Sequence, residues 1–327
     1  MRSERPGAAS VRCMNPMSDP TPAPPQEVPE EILEISSGTY QAELTPRGAQ
    51  LRRLRYDGRD LVLGAAAGED RSPLYTGKVL APWPNRIVDG RYTFAGETHE
   101  LAVNEPERGH ALHGLVHPLD AEVATHTADR VVFVHRLEEP AGYPFRIEVS
   151  TTYTLGEGGL ACRISARNTG TVPAPYGCGS HPYLLAGPGP VDGWTLTIPA
   201  TEYLRVTGDR LVPLGTAPVD GTAFDFRSPR LIEATALDHA FTGLVRDGDA
   251  IASLRVAGPS GTGVELRWEE GFGWVHVFTA DKPGAPWHRT AVAVEPTTCP
   301  PDAFNSGVDL VVLEPGAEHA ATWWLSA

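Results

Sequence analysis

A period-two alternation of apolar and polar side chains is the feature that most constrains how this chain can fold. Across residues 145–155 apolar side chains occupy odd-numbered positions, and across residues 160–166 they occupy even-numbered ones. The sequence Gly-Glu-Gly-Gly separates the two runs. Since side chains alternate between the two faces of a strand, each run predicts a strand with one buried face. The segment therefore predicts a β-hairpin.

Short strand-like runs recur along the chain, and helical periodicity is almost absent. Further runs lie at residues 131–135, 194–198, 251–256, 264–268, 274–279, 310–313 and 321–325. The 31 prolines and 34 glycines interrupt the chain at short intervals, as expected for many turns. Many short strands separated by turn residues are typical of a β-sandwich or barrel. We therefore predict an all-β fold, a large sandwich with little helix.

The first 30 residues differ in composition from the rest. They contain no apolar segment of the kind found in a signal peptide, and residues 20–25 read Pro-Thr-Pro-Ala-Pro-Pro. We expect residues 1–30 to form a disordered, Pro-rich tail, with the true start at Met1, Met14 or Met17 left open. No later shift in composition marks a boundary, so we expect residues 31–327 to form a single β-sandwich domain.

Charge and cysteine content restrict the partners and the compartment. The net charge of −14 disfavours nucleic acid and anionic membranes as partners. An uncharged run at residues 171–191 is long enough to span a membrane, but its prolines and glycines argue against a span. The four cysteines form no CxxC pair, which favours free thiols in a reducing cytoplasm. The sequence does not distinguish a monomer from a homodimer.

Glu295 follows an apolar, strand-like run at residues 290–294, and three prolines lie among the next six residues. Proline removes a backbone donor and is excluded from helix interiors and central strands. We therefore expect the strand to end at Glu295 and a stiff loop to begin there. Functional groups often lie where a rigid scaffold meets a loop. Glu295 is thus a candidate catalyst, or a side chain that hydrogen-bonds its own loop.

Two motifs could bind a polar ligand. Arg86 follows Asn85 in a loop that is stiffened by Pro82 and Pro84. A guanidinium fixed in such a loop could donate hydrogen bonds to ligand hydroxyls, or it could form a surface ion pair. Asp238 lies in the sequence Leu-Asp-His-Ala-Phe, where a carboxylate next to an aromatic ring could grip a sugar or form a plain turn.

Histidines His110, His113 and His117 lie within eight residues. Metal-binding histidines commonly lie four residues apart on a helix, but Gly114 and Pro118 argue against a helix here. On a strand His113 and His117 would share one face. Because no nearby cysteine completes a ligand set, we predict no metal site. A neutral histidine that bonds a ligand, or one that is satisfied by the protein, is expected instead.

His181 is a candidate general acid. Glycines lie at positions 177 and 179, and Pro182 favours an extended conformation for His181. An imidazole whose pKa is near neutrality suits proton donation at pH 7. A turn histidine that bonds a carbonyl would give the same pattern.

One carboxylate and one imidazole are sufficient for proton transfer at an acetal-like centre. The base removes a proton from a hydroxyl while the acid protonates the leaving oxygen. On a cyclic sugar this opens the hemiacetal ring, and closure can invert the anomeric centre. Such a reaction needs no nucleophile, metal or redox cofactor. A glycosidase would more often use two carboxylates.

Taken in order, these motifs resemble the aldose 1-epimerase, or galactose mutarotase-like, family. The matching segments are Asn85-Arg86-Ile87, Leu112-His113-Gly114, His181-Pro182-Tyr183, Leu237-Asp238-His239-Ala240-Phe241, and Glu295 with Pro301-Asp302-Ala303-Phe304-Asn305. They span residues 85–305, most of the chain that follows the tail. The resemblance implies a large antiparallel β-supersandwich, a monosaccharide as partner and no cofactor.

The resemblance also implies roles for these residues. Glu295 would be the general base that deprotonates the C1 hydroxyl, and His181 would be the general acid that protonates the ring oxygen. His113 would support charge near that oxygen. The sugar hydroxyls would be bound by Asn85, Arg86 and Asp238.

The chain departs from the better-known galactose mutarotases at two points, which puts galactose in doubt as its substrate. Leu115, and not a second glycine, follows Gly114, and residues 297–300 lengthen the interval between Glu295 and the Pro-Asp pair. A hexose-6-phosphate 1-epimerase would need a basic phosphate-binding cluster, and the basic residues near the motifs are Arg108, Lys282 and Arg289. A non-catalytic carbohydrate-binding protein of the same fold, or a structural β-sandwich that binds no sugar, would also account for an all-β chain.

Overall fold

The computed structural model describes residues 31–64 and 74–327, which fold mainly into antiparallel strands. The strands are β1 (Leu33–Ser37), β2 (Tyr40–Thr45), β3 (Gln50–Tyr56), β4 (Arg59–Asp60), β5 (Val79–Leu80), β6 (Arg86–Ile87), β7 (Arg91–Phe94), β8 (Glu97–Glu100), β9 (Ala111–Leu112), β10 (Glu122–His126), β11 (Arg130–Glu138), β12 (Arg146–Gly156), β13 (Gly159–Asn168), β14 (Ala174–Tyr176), β15 (Gly179–Ser180), β16 (Tyr183–Leu184), β17 (Thr195–Thr197), β18 (Ala200–Val206), β19 (Pro213–Pro218), β20 (Arg230–Leu231), β21 (Asp238–Leu244), β22 (Ala252–Ala257), β23 (Gly263–Trp268), β24 (Trp274–Phe278), β25 (Val292–Thr297), β26 (Val311–Leu313) and β27 (Glu318–Ser326). Helix α1 is one turn, Ala303–Ser306, and short 3-10 turns lie at Val88–Gly90 and Val191–Gly193. The predicted all-β fold is confirmed.

Two large antiparallel sheets make up most of the fold. One has nine strands in the order β10-β11-β12-β13-β27-β23-β22-β17-β20. The other has eight, in the order β19-β18-β21-β24-β25-β15-β5, with β16 also paired to β25. A four-stranded sheet, β1-β2-β3-β4, and the ribbons β6-β9, β7-β8 and β14-β26 complete the arrangement. The predicted tail, residues 1–30, lies outside the described residues, so the domain boundary at residue 30 stays a prediction.

The predicted hairpin is the pair β12 and β13. Its ladder runs from Ile147 opposite Asn168 to Gly156 opposite Gly159, which leaves a two-residue turn. The other seven predicted runs are strands as well, namely β11, β17, β22, β23, β24, β26 and β27. The alternation in β12 and β13 was informative because one face of each of these two strands is buried and the other is more exposed.

The core lies between the two large sheets. Ile164 from the nine-stranded sheet belongs to the same buried apolar cluster as Val275 and Val294 from the eight-stranded sheet. The indole Nε1 of Trp323 on β27 donates a hydrogen bond of 3.1 Å to Oγ of Ser180 on β15. Burying one large apolar side chain contributes about 1.5–3 kcal/mol. The inner face of the eight-stranded sheet is therefore held firmly.

Strand β25 is buried on both of its faces. Val292 and Val294 point into the core between the sheets, whereas Ala293 belongs to a separate cluster on the opposite face. Period-two alternation places Glu295 on that outer face with Ala293. His276 on β24 is the cross-strand partner of Glu295 and shares its face. The outer face of this sheet thus carries buried polar groups.

The expectation that the strand ends at Glu295 is wrong, because β25 continues through Pro296 to Thr297. The N–H of Val294 donates to the carbonyl of Pro182. The backbone nitrogen of Pro296, two residues further along β25, points to the same side of the strand as that of Val294. On that side the partner of β25 changes from β16 to β15, so the ladder is interrupted there. The ladder therefore does not depend on a donor at that position, so proline is tolerated inside this strand.

The described cysteines are Cys162, Cys178 and Cys299, and all three are buried free thiols. No helix in residues 31–64 or 74–327 is long and apolar enough to cross a membrane. The predicted absence of disulfides therefore holds for these three cysteines.

Gly114 is required where two backbone segments meet beside His113. Its φ is +76°, and an added Cβ would lie 2.1 Å from the carbonyl oxygen of Ala81. Gly58 has nearly the same φ, +75°, but no atom within 4 Å of an added Cβ. Gly58→Ala should therefore lower the free energy of unfolding by about 1–2 kcal/mol, the cost of the left-handed conformation alone. Gly114→Ala should cost on the order of 3 kcal/mol or more, because the backbone must also move.

Urea denaturation of the two variants beside the wild type measures this difference. Equal losses of stability in Gly58→Ala and Gly114→Ala would show that the close approach to Ala81 does not constrain the fold.

Candidate active site

All six predicted site residues line one cavity on the outer face of the eight-stranded sheet. The cavity has a volume of about 230 Å³. Its lining includes Asn85, Arg86, His113, His181, Asp238 and Glu295, together with Tyr75, Glu105, Arg108, Tyr183, His276 and Lys282. Pockets for drug-sized ligands are usually about 300–1,000 Å³. The smaller volume and the polar lining suit a small polar ligand.

His181 and Glu295 are in direct contact at the base of the cavity. Nε2 of His181 lies 3.2 Å from Oε1 of Glu295, and the two side chains are 6% and 2% exposed. The backbone of His181 is fixed on both sides, since its N–H donates to Lys78 and its carbonyl accepts from Gly77. The ring of Tyr183 stacks on His181 at 5.1 Å. Among the described residues, Nδ1 of His181 and Oε2 of Glu295 have no hydrogen-bond partner, so these atoms are left for a ligand.

Burial favours the uncharged form of both members of this pair. It raises the pKa of Glu295 to about 7 and lowers the pKa of His181 to about 3. The charge of His276 opposes the effect of burial on Glu295. Between these two values the pair holds one proton, and its two protonation steps belong to the pair as a unit.

His113 is held as a neutral hydrogen-bond donor. It follows β9 with a φ of 64°, its N–H donates to the carbonyl of Asn85, and its Nδ1 accepts from the N–H of Asn85. Nε2 must therefore carry the proton of the neutral ring. Burial, followed by the charges of His181 and Arg86, keeps the pKa of His113 well below its ordinary value. His113 can thus donate to an oxygen in the cavity without becoming charged.

Arg86 belongs to a buried ion pair, not a surface one. Its Nε and Nη2 donate to the two carboxylate oxygens of Glu105 at 2.7 and 2.8 Å. Arg108 donates a further hydrogen bond of 2.8 Å to the same carboxylate. Oδ1 of Asn85 accepts from the backbone N–H and Nη1 of Arg86. Asn85 therefore positions the guanidinium, and its predicted contact with a sugar stays a prediction.

Asp238 pairs with His276 across β21 and β24. Oδ1 of Asp238 lies 2.9 Å from Nε2 of His276. Burial would raise the pKa of Asp238, but the hydrogen bond and charge of His276 and the charge of Arg86 lower it further, so the pKa lies well below its ordinary value. Asp238 is therefore a carboxylate that can accept hydrogen bonds from ligand hydroxyls.

The Pro-Asp-Ala-Phe-Asn segment, residues 301–305, fixes the backbone at Arg86 and Val88. The N–H of Asp302 donates to the carbonyl of Arg86 at 2.7 Å. Its Oδ1 accepts from the N–H of Val88 at 2.9 Å. Phe304 packs edge-on against Trp83, with ring centres 5.8 Å apart, in the core and not in the cavity. This distinctive segment is therefore a brace for the strand that carries Arg86.

Sequence reasoning did not identify His276, Glu105 or Tyr75 as site residues. A signal for His276 is present, since it is the lone polar residue between two valines in the run at 274–278. Glu105 and Tyr75 lie in irregular segments, where no periodicity indicates which way a side chain points. Tyr75 packs against the ring of His113 at 4.6 Å, a contact between distant parts of the chain.

His113, His181 and Glu295 could also hold a metal ion. One ligand atom from each lies within 4.8 Å of the others, and all three residues are buried. Two histidines and one carboxylate are a donor set that divalent transition metals use. The contact between His181 and Glu295 already joins two of these atoms by hydrogen-bond distance, which suits proton transfer between them.

Comparison with known proteins points to one family. A model of the aldose 1-epimerase family matches residues 31–326. The uncharacterized protein YihR of Escherichia coli K12 is 34% identical over 88% of this chain and 91% of its own length. Galactose mutarotase of Rattus norvegicus is 34% identical, and this match covers 61% of each chain. The solved structure of a GalM/aldose epimerase homologue from C. elegans superposes with a TM-score of 0.79 at 25% identity, covering 91% of this chain and 99% of that one.

The buried pair of Arg86 and Glu105 should be essential for stability. Glu105→Gln would leave a guanidinium without its carboxylate, so we expect the free energy of unfolding to fall by on the order of 3 kcal/mol. The matched control is Glu122→Gln, which disrupts the exposed pair of Arg136 and Glu122, whose side chains are 50% and 58% exposed. Solvent screens that pair, so its loss should be small by comparison. Chemical denaturation measures both, and equal effects would contradict the assignment of Arg86 to a buried ion pair.

Proposed function

The chain belongs to the aldose 1-epimerase family, and we propose that it interconverts the α and β anomers of a free aldose by opening and closing the sugar ring. The observation that carries this proposal is the buried pair of His181 and Glu295, whose free atoms face a small polar cavity. An acid and a base on one side of a hemiacetal are what the reaction needs. The proposed enzyme is thus an isomerase that acts on a monosaccharide.

The protons balance over one cycle. The carboxylate of Glu295 takes the proton from the C1 hydroxyl, a C1–O1 double bond forms, and the bond from C1 to the ring oxygen breaks. Protonated His181 gives its proton to that oxygen. Rotation about the C1–C2 bond presents the other face of the aldehyde, and the same two transfers run in reverse. The pair holds one proton throughout: it lies on His181 before ring opening and on Glu295 after it, when both side chains have the uncharged form that burial favours.

The remaining residues orient the sugar. His113 donates from Nε2 towards the ring oxygen and stabilises charge that develops there. Arg86, held in place by Glu105, donates hydrogen bonds to sugar hydroxyls. Asp238 accepts hydrogen bonds from them. Their fixed geometry would hold C1 of the sugar beside Glu295. Holding the reacting groups in this way lowers the barrier of the reaction.

A hexose-6-phosphate epimerase is the alternative within the family. Arg108 and Lys282 line the cavity, but Arg108 donates to Glu105. Arg289 is bonded to Asp192 and Asp281. Parallel assays on glucose and glucose 6-phosphate distinguish the two substrates. We expect the free sugar to be preferred, because a dense basic cluster is not formed by these residues.

We place the reaction in the cytoplasm, where the three buried thiols would stay reduced. The described site residues all come from one chain, so a monomer is sufficient for the proposed chemistry, and a homodimer is equally compatible with it. The acidic surface disfavours nucleic acid as a further partner.

Replacing the base tests the proposed function. Glu295→Gln should reduce the enzymatic rate of mutarotation by at least about 100-fold, because the amide cannot accept the C1 hydroxyl proton. Polarimetry of fresh α-D-glucose or α-D-galactose measures the approach to equilibrium rotation. The control is Glu318→Gln on β27, with a side chain 54% exposed, which should retain the rate. An active Glu295→Gln protein would remove Glu295 from the mechanism.

The activity should depend on pH through the single proton of the pair. Above about pH 7 the pair loses its proton and no acid remains. Towards pH 3 it gains a second proton and no base remains. After subtraction of the uncatalysed rate, kcat/KM should therefore follow a bell with its alkaline limb near pH 7. A rate that stays constant from pH 6 to 9 would be incompatible with this assignment.

A further inference from the structure

His110 is a fully buried histidine that the proposed reaction does not use. It closes a turn over residues 105–110, because Glu105 and His110 form an isolated β-bridge. Glu105 in the same turn supplies both carboxylate oxygens that accept hydrogen bonds from the guanidinium of Arg86. His110 therefore lies where it can influence a proposed sugar-binding group through this turn.

Both ring nitrogens of His110 are bonded to backbone groups of other segments. Nδ1 accepts from the N–H of Asp89 at 3.2 Å, and Nε2 lies 2.8 Å from the carbonyl oxygen of Arg210. Because Nδ1 faces a donor, the neutral ring carries its proton on Nε2 and donates it to that carbonyl. His110 thus joins the 105–110 turn to the 3-10 turn Val88–Gly90 and to the connection between β18 and β19.

Arg210 lies in the connection between β18 and β19, and its side chain bonds the same two segments as His110. Its Nε donates to the carbonyl oxygen of Arg108 at 2.8 Å, and its Nη2 donates to Oδ1 of Asp89. An added Cβ on Gly109 would lie 3.3 Å from Nη2 of Arg210, so the guanidinium lies directly against the 105–110 turn. Arg210 therefore accepts a hydrogen bond from His110 through its backbone and donates to the two neighbouring segments through its side chain.

We propose that His110 and Arg210 are positioning residues that fix the guanidinium of Arg86 in the orientation in which it binds the sugar. They act through the 105–110 turn, which carries the carboxylate bonded to Arg86, and through the 3-10 turn Val88–Gly90, which follows Arg86 closely in the chain. The inference rests on the proposed function, since it assigns how one of the proposed sugar-binding groups is held in place.

The orientation of Arg86 depends on where the 105–110 turn lies. Two nitrogens of the guanidinium are bonded to the two oxygens of Glu105, so the plane of the guanidinium follows the plane of the carboxylate. Within the turn, the N–H groups of residues 108–110 all donate to the carbonyl of Glu105. These bonds fix the shape of the turn but not its distance from Arg86. The bonds of His110 and Arg210 to other segments fix that distance, in a part of the chain that is otherwise irregular.

Arg210→Met tests the proposal through the separate effects on KM and kcat for mutarotation. The side chain of Arg210 is 39% exposed, so the variant should fold. KM should rise about fivefold or more while kcat stays within about twofold, because a sugar-binding group is loosened and the proton-transfer pair is not touched. Arg205→Met is the matched control, since Arg205 on β18 donates to the carbonyl of Leu214 in the same hairpin, and it should leave both constants unchanged. A fall in kcat at constant KM, or no change in either constant, would overturn the proposal.

A double-mutant cycle tests whether the effect of Arg210 passes through Arg86. Arg86→Lys keeps a positive charge beside Glu105 but cannot form the contact through two nitrogens. In this background Arg210→Met should change KM by less than about twofold, because the orientation that it disturbs is already lost. An equal rise in KM with and without Arg86 would show that Arg210 acts by another route and would overturn the proposal.

Two variants of His110 test its share of the role. In His110→Gln the side-chain amide retains a donor for the carbonyl of Arg210, whereas the shorter side chain of His110→Asn does not reach it. KM should therefore be higher in His110→Asn than in His110→Gln, with kcat close to the wild-type value in both. Thermal unfolding shows whether both variants fold. A folded His110→Asn protein with the KM of the wild type would remove His110 from the proposal.

Hydrogen exchange at Arg86 separates this inference from the proposed function, because it needs neither sugar nor activity. Nε–H of Arg86 donates to Glu105 at 2.7 Å, and the side chain of Arg86 is 9% exposed, so in 15N-labelled wild-type protein it should exchange slowly with solvent. Exchange should be on the order of tenfold faster in Arg210→Met and unchanged in Arg205→Met. If the wild type did not catalyse mutarotation, the proposed function would fail while this exchange still decided whether Arg210 holds Arg86. An unchanged exchange rate in Arg210→Met would overturn the inference alone.

Discussion

Burial of one acid–base pair on the outer face of a sheet is the constraint on which the site depends. The inner face of β25 is locked into the core by valines, so alternation alone directs Glu295 outward. The connection between β15 and β16 brings His181 to within 3.2 Å of it. Removal of both groups from water favours their neutral forms and leaves one mobile proton between them. The same burial that would destabilise two isolated charges thus prepares a proton relay.

Two further charged groups of the cavity, Arg86 and Asp238, each have a partner. Arg86 is matched to Glu105 and Asp238 to His276. Breaking a buried pair costs far more than a surface pair contributes, so these contacts fix the positions of the groups that we propose bind the sugar. The brace at Asp302 is part of this arrangement. The longer interval after Glu295 has a structural use as well, since Thr297 extends β25 and Oγ1 of Thr298 accepts from the N–H of Cys178.

The sequence predicted the fold better than it predicted the neighbours of the proposed catalytic groups. Strands such as β12 and β13 were predictable because burial of one face of a strand makes apolar and polar residues alternate along the sequence. The six predicted residues were found by their motifs, and they meet in one cavity. The end of β25 was misjudged because the effect of Pro296 depends on the break in pairing beside it. Glu105 lies in an irregular segment, so no pattern in the sequence indicated that its carboxylate pairs with Arg86. That contact was recognised only in the structure.

Exchange spectroscopy by nuclear magnetic resonance tests the central claim most directly. In an equilibrium mixture of α and β aldose, the two anomeric protons should give exchange cross-peaks when the protein is added at catalytic concentration. We predict these peaks for the wild type and their loss in Glu295→Gln. Sugar signals that broaden on binding, with no exchange between the anomers for any free aldose tested, would contradict the proposed catalysis and identify a binding protein.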